Sequence, residues 1–308
     1  MPNNIAYIFP GQGSHAVGMG YDIYRGSKKA KEVFEEADSA LGFPLSGLCF
    51  EGPEETLRQT INAQPAITTV SMACFAAASE TGAWPEPIFF AGHSLGEYTA
   101  LVAAGVLDFA DAIRLVRERG RLMQEAGTKR PGGMAAIIGL DETTVEEVCL
   151  ETGAHIANLN SPQQIVISGG RLALARAMDL AKARGARRVV QLQVSGAFHS
   201  ALMQPAADAM AEVLSEIDFR QPKVPIVVNI TAQPVATAED IRNELLRQLC
   251  NCVHWRPSVE YMVEAGVETF VEVGPGQVLS GLVKRISNKV QVLNAGDMET
   301  IKSTSSGF

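Results

Sequence analysis

Gly92-His93-Ser94-Leu95-Gly96 is the stretch in which residue type and spacing together point to chemistry. It fits G-x-S-x-G, in which a sharp strand-to-helix turn presents a serine hydroxyl at the carboxyl edge of a sheet, with glycines where backbone packs close beneath the turn. Ile88-Phe89-Phe90-Ala91 reads as a buried strand entering the turn, and Glu97 to Ala104, rich in small residues, as the helix leaving it. The free N–H groups and positive end of such a helix favour a developing oxyanion. A serine that merely caps its helix fits the same pattern, so the chemical reading requires a base.

The histidines are His15, His93, His155, His199 and His254. His199, in Val194-Ser195-Gly196-Ala197-Phe198-His199-Ser200, is best placed, in a loop ahead of an amphipathic helix expected from about Ala201 to Ile217. The positive end of that helix disfavours the imidazolium and leaves a neutral ring able to accept a proton. Surface and capping roles also suit a loop histidine, and no acidic residue nearby in sequence supplies a third member of a triad.

Arg119 is the most informative residue. On a helix expected from Asp108 to Ala126, Arg114, Arg117, Glu118, Arg121, Gln124 and Glu125 share one face, whereas Leu115, Val116, Leu122, Met123 and Ala126 share the other. Arg119 falls at the centre of the apolar face. A buried guanidinium keeps its charge and calls for an anion, either a protein carboxylate or a ligand. If a ligand, an acyl group with a free carboxylate suits the planar fork.

The loop Gly11-Gln12-Gly13-Ser14-His15-Ala16 follows a strand, Ile5 to Phe9, and fits G-x-G-x-x-G/A. A dinucleotide site needs an acidic residue ending a second strand about 20 residues on. Glu35 and Glu36 instead lie inside an amphipathic helix expected from Ser27 to Leu41, so that reading fails. A turn whose backbone N–H faces the nucleophile, as a second oxyanion donor, is the alternative.

Positioning these residues calls for strands alternating with helices, the pattern of an α/β fold with a mostly parallel sheet. Further helices are expected from Pro53 to before Pro65 and from about Ala66 to Ser79, and strands at Pro225 to Asn229 and Thr269 to Val273. After a linker at Lys129-Arg130-Pro131-Gly132-Gly133 the order becomes strand (Met134 to Ile138), helix (Thr143 to Glu151), two strands around Asn158 to Pro162, helix (Arg171 to Ala183), strand (Arg188 to Val194). That β-α-β-β-α-β order reads as a ferredoxin-like insertion at 128–194, splitting a large domain into 1–127 and 195–308. The polar end, Ser303 to Phe308, is expected to fray.

The 308 residues, 46% hydrophobic, suffice for a full core without disulfides or metals. A net charge of −8 argues against nucleic acid or an anionic membrane as partner. Cys49, Cys74, Cys149, Cys250 and Cys252 are scattered without C-x-x-C spacing and read as thiols of a reducing compartment. With no charged segment opening a signal peptide and no apolar run long enough to span a bilayer, a cytoplasmic protein without a membrane partner is expected.

Several separated motifs, in order, resemble the malonyl-CoA:acyl-carrier-protein transacylases and the related acyltransferases of polyketide synthases. They are Phe9-Pro10-Gly11-Gln12-Gly13-Ser14, Gly92-His93-Ser94-Leu95-Gly96-Glu97-Tyr98, Arg119-Gly120, Met134-Ala135-Ala136-Ile137, Asn158-Leu159-Asn160-Ser161-Pro162, Gly196-Ala197-Phe198-His199-Ser200 and Glu272-Val273-Gly274-Pro275-Gly276. The resemblance covers essentially the whole chain and implies a hydrolase-like α/β domain, helices on both faces of its sheet, with a ferredoxin-like insertion. It implies that Ser94 is the acylated nucleophile, His199 its base, Gln12 and Leu95 the oxyanion donors through their backbone N–H, and Arg119 the holder of the malonyl carboxylate. The base would be oriented by a main-chain carbonyl near His254, and Asn160 and Phe198 would lie at the pocket, Phe198 filling the space an α-methyl group needs. The implied substrates are malonyl-CoA, a coenzyme A thioester, and the phosphopantetheine thiol of an acyl carrier protein, with no metal or bound cofactor and a monomeric enzyme. An acyl hydrolase acting on carrier thioesters is the alternative. The sequence departs from the family pattern at His15, Cys252, His254 and Gln277. Ala197-Phe198-His199 resembles the malonyl-selecting motif of polyketide acyltransferases, which leans the pathway from fatty-acid toward polyketide synthesis. An acidic carrier needs local basic surface, for which Lys182, Arg184, Arg187 and Arg188, or Lys129 and Arg130, are candidates.

Overall fold

The computed structural model describes residues 4–308, so the first three residues of the expected segment 1–127 lie outside the described residues. The strands are β1 (Ile5–Phe9), β2 (Phe89–Gly92), β3 (Gly132–Ile138), β4 (His155–Ser161), β5 (Gln164–Gly170), β6 (Arg188–Gln191), β7 (Ile226–Val227), β8 (Pro234–Val235), β9 (Thr269–Val273) and β10 (Gln291–Ala295). One sheet has the order β10-β9-β1-β2-β7-β8, parallel throughout except for β8 against β7. Every residue of β1 and β9 is buried; β1 reads as a continuous apolar run, as buried parallel strands do, whereas β9 also buries Glu272, whose carboxylate accepts from the N–H groups of Leu279 and Ser280. The loops after the carboxyl ends of β1, β2 and β7 carry Gln12, Ser94 and Asn229, so the open edge of the sheet collects the polar groups.

The second sheet, β4-β5-β3-β6, is antiparallel at every pairing and carries the helices Glu142–Thr152 and Arg171–Ala183. Its strand order is that of the split βαβ unit expected from the sequence. Ala135, Ile137, Val145, Ile167 and Leu174 form an apolar cluster of its own.

The sequence-derived boundaries need correction in four places. The helix expected from Pro53 divides: Glu54–Arg58 is a short helix of its own, and the remainder joins the segment after Pro65 in a single helix, Thr60–Glu80. Proline deprives Ile61 of its hydrogen-bond donor, but the helix is buried nearly all round, and that packing carries it through. Lys129 belongs to the helix Phe109–Lys129 and Gly132 to β3, so the linker shrinks to two residues. β6 stops at Gln191, and Val194 lies in the loop that leads to His199. The C-terminal segment is docked: Met298–Ser305 is helical with an Asp297 capping box, Trp84 Nε1 donates to Ser305 Oγ at 2.8 Å, and the Phe308 ring meets Trp84.

Candidate active site

Ser94 has φ 51° and ψ −100°, backbone angles that a side chain bearing Cβ rarely adopts. Two polar side chains hold it there. Its N–H donates to Asn229 Oδ1 at 2.6 Å and its carbonyl accepts from Gln248 Nε2 at 3.1 Å. The turn closes because Gly92 and Gly96 lack side chains: a Cβ on Gly92 would lie 2.0 Å from the Gly96 carbonyl, and one on Gly96 2.1 Å from the Phe9 oxygen. The helix Leu95–Ala103 begins immediately after the serine. Among the described residues, the backbone N–H groups of Leu95 and Gln12 donate to no protein acceptor, and both residues border the pocket beside Ser94.

His199 Nε2 is 2.8 Å from Ser94 Oγ, and its Nδ1 is 3.0 Å from the carbonyl oxygen of Gln248. A carbonyl can only accept, so Nδ1 carries the proton and Nε2 offers its lone pair to the serine hydroxyl. Burial, followed by the nearby Arg119 charge, pushes the imidazole down to about 3. The ring is therefore neutral at physiological pH, as expected, with burial rather than a helix end as the leading cause. The segment after it is a 3-10 turn, Ala201–Met203, followed by the helix Gln204–Ser215.

His254 does not orient the base. Its carbonyl accepts from the N–H and hydroxyl of Ser258 in the first turn of the helix Trp255–Glu264. The orienting carbonyl belongs to Gln248, the last residue of the helix Ala238–Gln248, where backbone oxygens lack intrahelical donors. His254 reaches the site by another route, donating its N–H to the Asn229 carbonyl at 2.8 Å.

Arg119 is 1% exposed. Its Nη1 donates to Gln64 Oε1 at 2.7 Å, and its Nη2 to Gln248 Oε1 at 2.9 Å and to Ser94 Oγ at 3.1 Å. The guanidinium also stands 5.2 Å from the Tyr98 ring centroid. Among the described residues it forms no salt bridge, so of the two anions open from the sequence, a directly paired protein carboxylate drops out. The charge is met by amide oxygens, which orient the fork toward the serine without neutralising it.

Ser94, His199 and Arg119 open into a cavity of about 170 Å³ between the two sheets, to which the insertion contributes Met134, Asn158, Asn160 and Val166. Phe198 also borders it. Asn160 Oδ1 accepts from His93 Nε2 at 2.8 Å, which fixes His93 in the cavity wall. Gln64, Asn229, Gln248 and Glu97, all buried, are the polar residues the sequence did not single out. Among the described residues, no group of three or more His, Cys, Asp or Glu side chains is placed to hold a metal ion.

Of the candidate basic surfaces, Arg184 is engaged by Glu147 and Glu151, and Lys182 lies 3.4 Å from Asp179. Arg187 and Arg188 are exposed and, among the described residues, without an ion pair, as are Lys129 and Arg130.

A family model described as an acyl transferase domain matches residues 6–302. The chain is 46% identical over 305 residues to the malonyl CoA-acyl carrier protein transacylase of Bacillus subtilis, covering 97% of this chain and 96% of that protein. It is 48% identical over 285 residues to the Escherichia coli K12 protein of the same name, covering 91% and 92%. Among solved structures, a malonyl-transacylase in complex with a type II PKS acyl-carrier protein superposes with a TM-score of 0.96 at 43% identity, over 99% of this chain and all of that one.

Proposed function

This chain belongs to the malonyl CoA-acyl carrier protein transacylase family of acyl transferases, and from that premise we propose how its residues move a malonyl group from malonyl-CoA to a carrier thiol. Ser94 Oγ attacks the thioester carbonyl while His199 Nε2 takes the hydroxyl proton. The N–H groups of Gln12 and Leu95 receive the oxyanion. Collapse breaks the carbon–sulfur bond, and coenzyme A leaves with the proton from His199. The phosphopantetheine thiol of the carrier then gives its proton to His199 and attacks the Ser94 ester, and the ester oxygen regains the proton as malonyl leaves on sulfur.

The observation that carries this reading is the buried Arg119 fork with Nη2 at 3.1 Å from Ser94 Oγ and no ion pair. A malonyl carboxylate supplies the anion this fork calls for, and its engagement holds the acyl carbon against Ser94. Phe198 borders the same cavity and restricts room beside the α-carbon, and Asn160 holds His93 in the cavity wall. The role of base-orienting backbone passes from His254 to Gln248 on the distances above.

The finer assignments belong to the same proposal. The enzyme acts as a monomer, as the resemblance implies, and none of the steps needs a metal or resident cofactor. No helix of the described residues is long and apolar enough to cross a membrane, and the five unpaired cysteines support a reducing, cytoplasmic setting. The separate sheets support a division into 1–127 with 195–308 and a 128–194 insertion. Arg187 with Arg188, and Lys129 with Arg130, are the candidates for contact with an acidic carrier, and Ala197-Phe198-His199 keeps the lean toward a polyketide carrier.

The alternative, a hydrolase of carrier thioesters, is separated by the fate of the acyl-enzyme. Malonyl-enzyme freed of excess malonyl-CoA is expected to hold its acyl group in buffer and pass it to added holo carrier protein, with malonyl-carrier as the product. Release of free malonate at the same rate without carrier would establish the hydrolase instead.

A further inference from the structure

Glu97 lies in the first turn of the helix after Ser94, 1% exposed, and has no part in the reaction described above. One of its oxygens, Oε2, accepts from the Asn229 backbone N–H at 2.7 Å; the other, Oε1, accepts from Gln248 Nε2 at 3.0 Å. Asn229 and Gln248 are the two residues that hold the N–H and C=O of the strained serine. Gln248 is also an acceptor for Arg119.

The amide of Gln248 has one workable orientation. Arg119 can only donate, so Oε1 faces it; the Ser94 carbonyl can only accept, so Nε2 faces that. The second Nε2 hydrogen points at Glu97 Oε1. Burial, then the neighbouring Glu244, pushes the Glu97 carboxyl up from the ordinary carboxylate range, against the pull of its two N–H donors and Arg119.

We infer that Glu97 is a positioning residue that sharpens the preference for malonyl: by accepting the second Nε2 hydrogen it holds the Gln248 amide in place, and through Gln248 it holds the Arg119 fork where it points. The inference rests on the reading of Arg119 as the holder of the malonyl carboxylate. An amide at position 97 reverses the pattern without changing shape. The Asn229 N–H claims the amide oxygen, so the NH2 group falls against Gln248 Nε2, donor on donor. Turning Gln248 over would set its NH2 against Arg119 and its carbonyl against that of Ser94, so the amide instead shifts away from position 97. Arg119 keeps Gln64 while its bond to Gln248 is loosened.

The test compares Glu97→Gln with wild type for transfer from malonyl-CoA and from acetyl-CoA to a holo carrier protein. Acetyl offers Arg119 no carboxylate and serves as the internal control. Expected is a fall of roughly thirtyfold in kcat/KM for malonyl-CoA, most of it in KM, against about threefold for acetyl-CoA, the size of one lost hydrogen bond to a charged group. Glu97→Asp keeps a carboxylate acceptor for Gln248 and should retain about tenfold more malonyl preference than Glu97→Gln. Equal losses on the two acyl groups, or a Glu97→Asp variant that prefers malonyl no more than Glu97→Gln does, would overturn the inference, because a purely structural role predicts both. Should Glu97→Gln fail to fold, Glu97→Asp must still fold and prefer malonyl, and a folded Glu97→Asp without that preference overturns it equally. Wild-type enzyme lacking any preference for malonyl-CoA would refute the Arg119 reading itself, a result distinguishable from a Glu97→Gln variant that keeps the wild-type preference.

Discussion

His199→Ala is expected to lower the rate of malonyl transfer by roughly a thousandfold to ten-thousandfold while leaving the protein folded, the loss associated with removing a general base from an activated serine. The size follows from position. Nε2 at 2.8 Å is the acceptor bonded to the Ser94 hydroxyl, and among the described residues no carboxylate accepts from His199. Stopped-flow release of coenzyme A measures the acylation step, and a loss under about tenfold would remove His199 from the base role.

The same residue sets the pH dependence. Nε2 must be unprotonated for acylation, and burial holds the folded-state value at about 3, below the ordinary 6.5. The base therefore stays competent as pH falls through 6.5, and kcat/KM for malonyl-CoA should stay level down to about pH 5 where an ordinary histidine would already be protonated. An acid limb centred on the ordinary histidine value would contradict the buried, neutral ring. Stability runs the other way. Below 6.5 the unfolded chain binds a proton that the folded ring refuses, so this group's contribution to stability declines as pH falls from 6.5 toward 3.

Arg119→Ala is expected to lower kcat/KM for malonyl-CoA by about a thousandfold and for acetyl-CoA by about tenfold or less, collapsing the preference between them. The carboxylate loses a charged, two-pronged partner in a site where water is a poor substitute. Arg119→Lys keeps the charge but lacks the fork that spans Gln64, Gln248 and the serine side of the cavity, and should recover only about tenfold. Steady-state transfer of both acyl groups checks this, and equal losses for malonyl and acetyl would mean that Arg119 braces the fold without reading the substrate.

What the sequence revealed, and what it did not, divides along physical lines. Ser94 was legible because a nucleophile elbow needs glycines at fixed offsets, and Arg119 because a charge on an apolar helix face breaks a periodicity of 3.6. The strand-helix alternation was legible because buried parallel strands are short apolar runs. Gln64, Asn229, Gln248 and Glu97 were not, since a buried polar residue acts through partners far along the chain: Glu97 meets Gln248 across 151 positions. The base-orienting carbonyl was misplaced at His254 for a related reason. Backbone oxygens carry no residue signature, and the one at Gln248 is open to His199 because the helix Ala238–Gln248 ends there. Pro65 and the C-terminal segment are cases in which packing overrode local preference, through the burial of Thr60–Glu80 in one and the Trp84 contacts in the other.

The central claim is that malonyl rests on Ser94 between the two half-reactions. Intact-protein mass spectrometry after brief exposure to malonyl-CoA tests it most directly. Wild type should gain the mass of one malonyl group, mapped by fragmentation to Ser94, and lose it on addition of holo carrier protein. Ser94→Ala should gain nothing. A malonyl adduct on the Ser94→Ala protein, or a wild-type adduct mapped to another residue, would contradict the account.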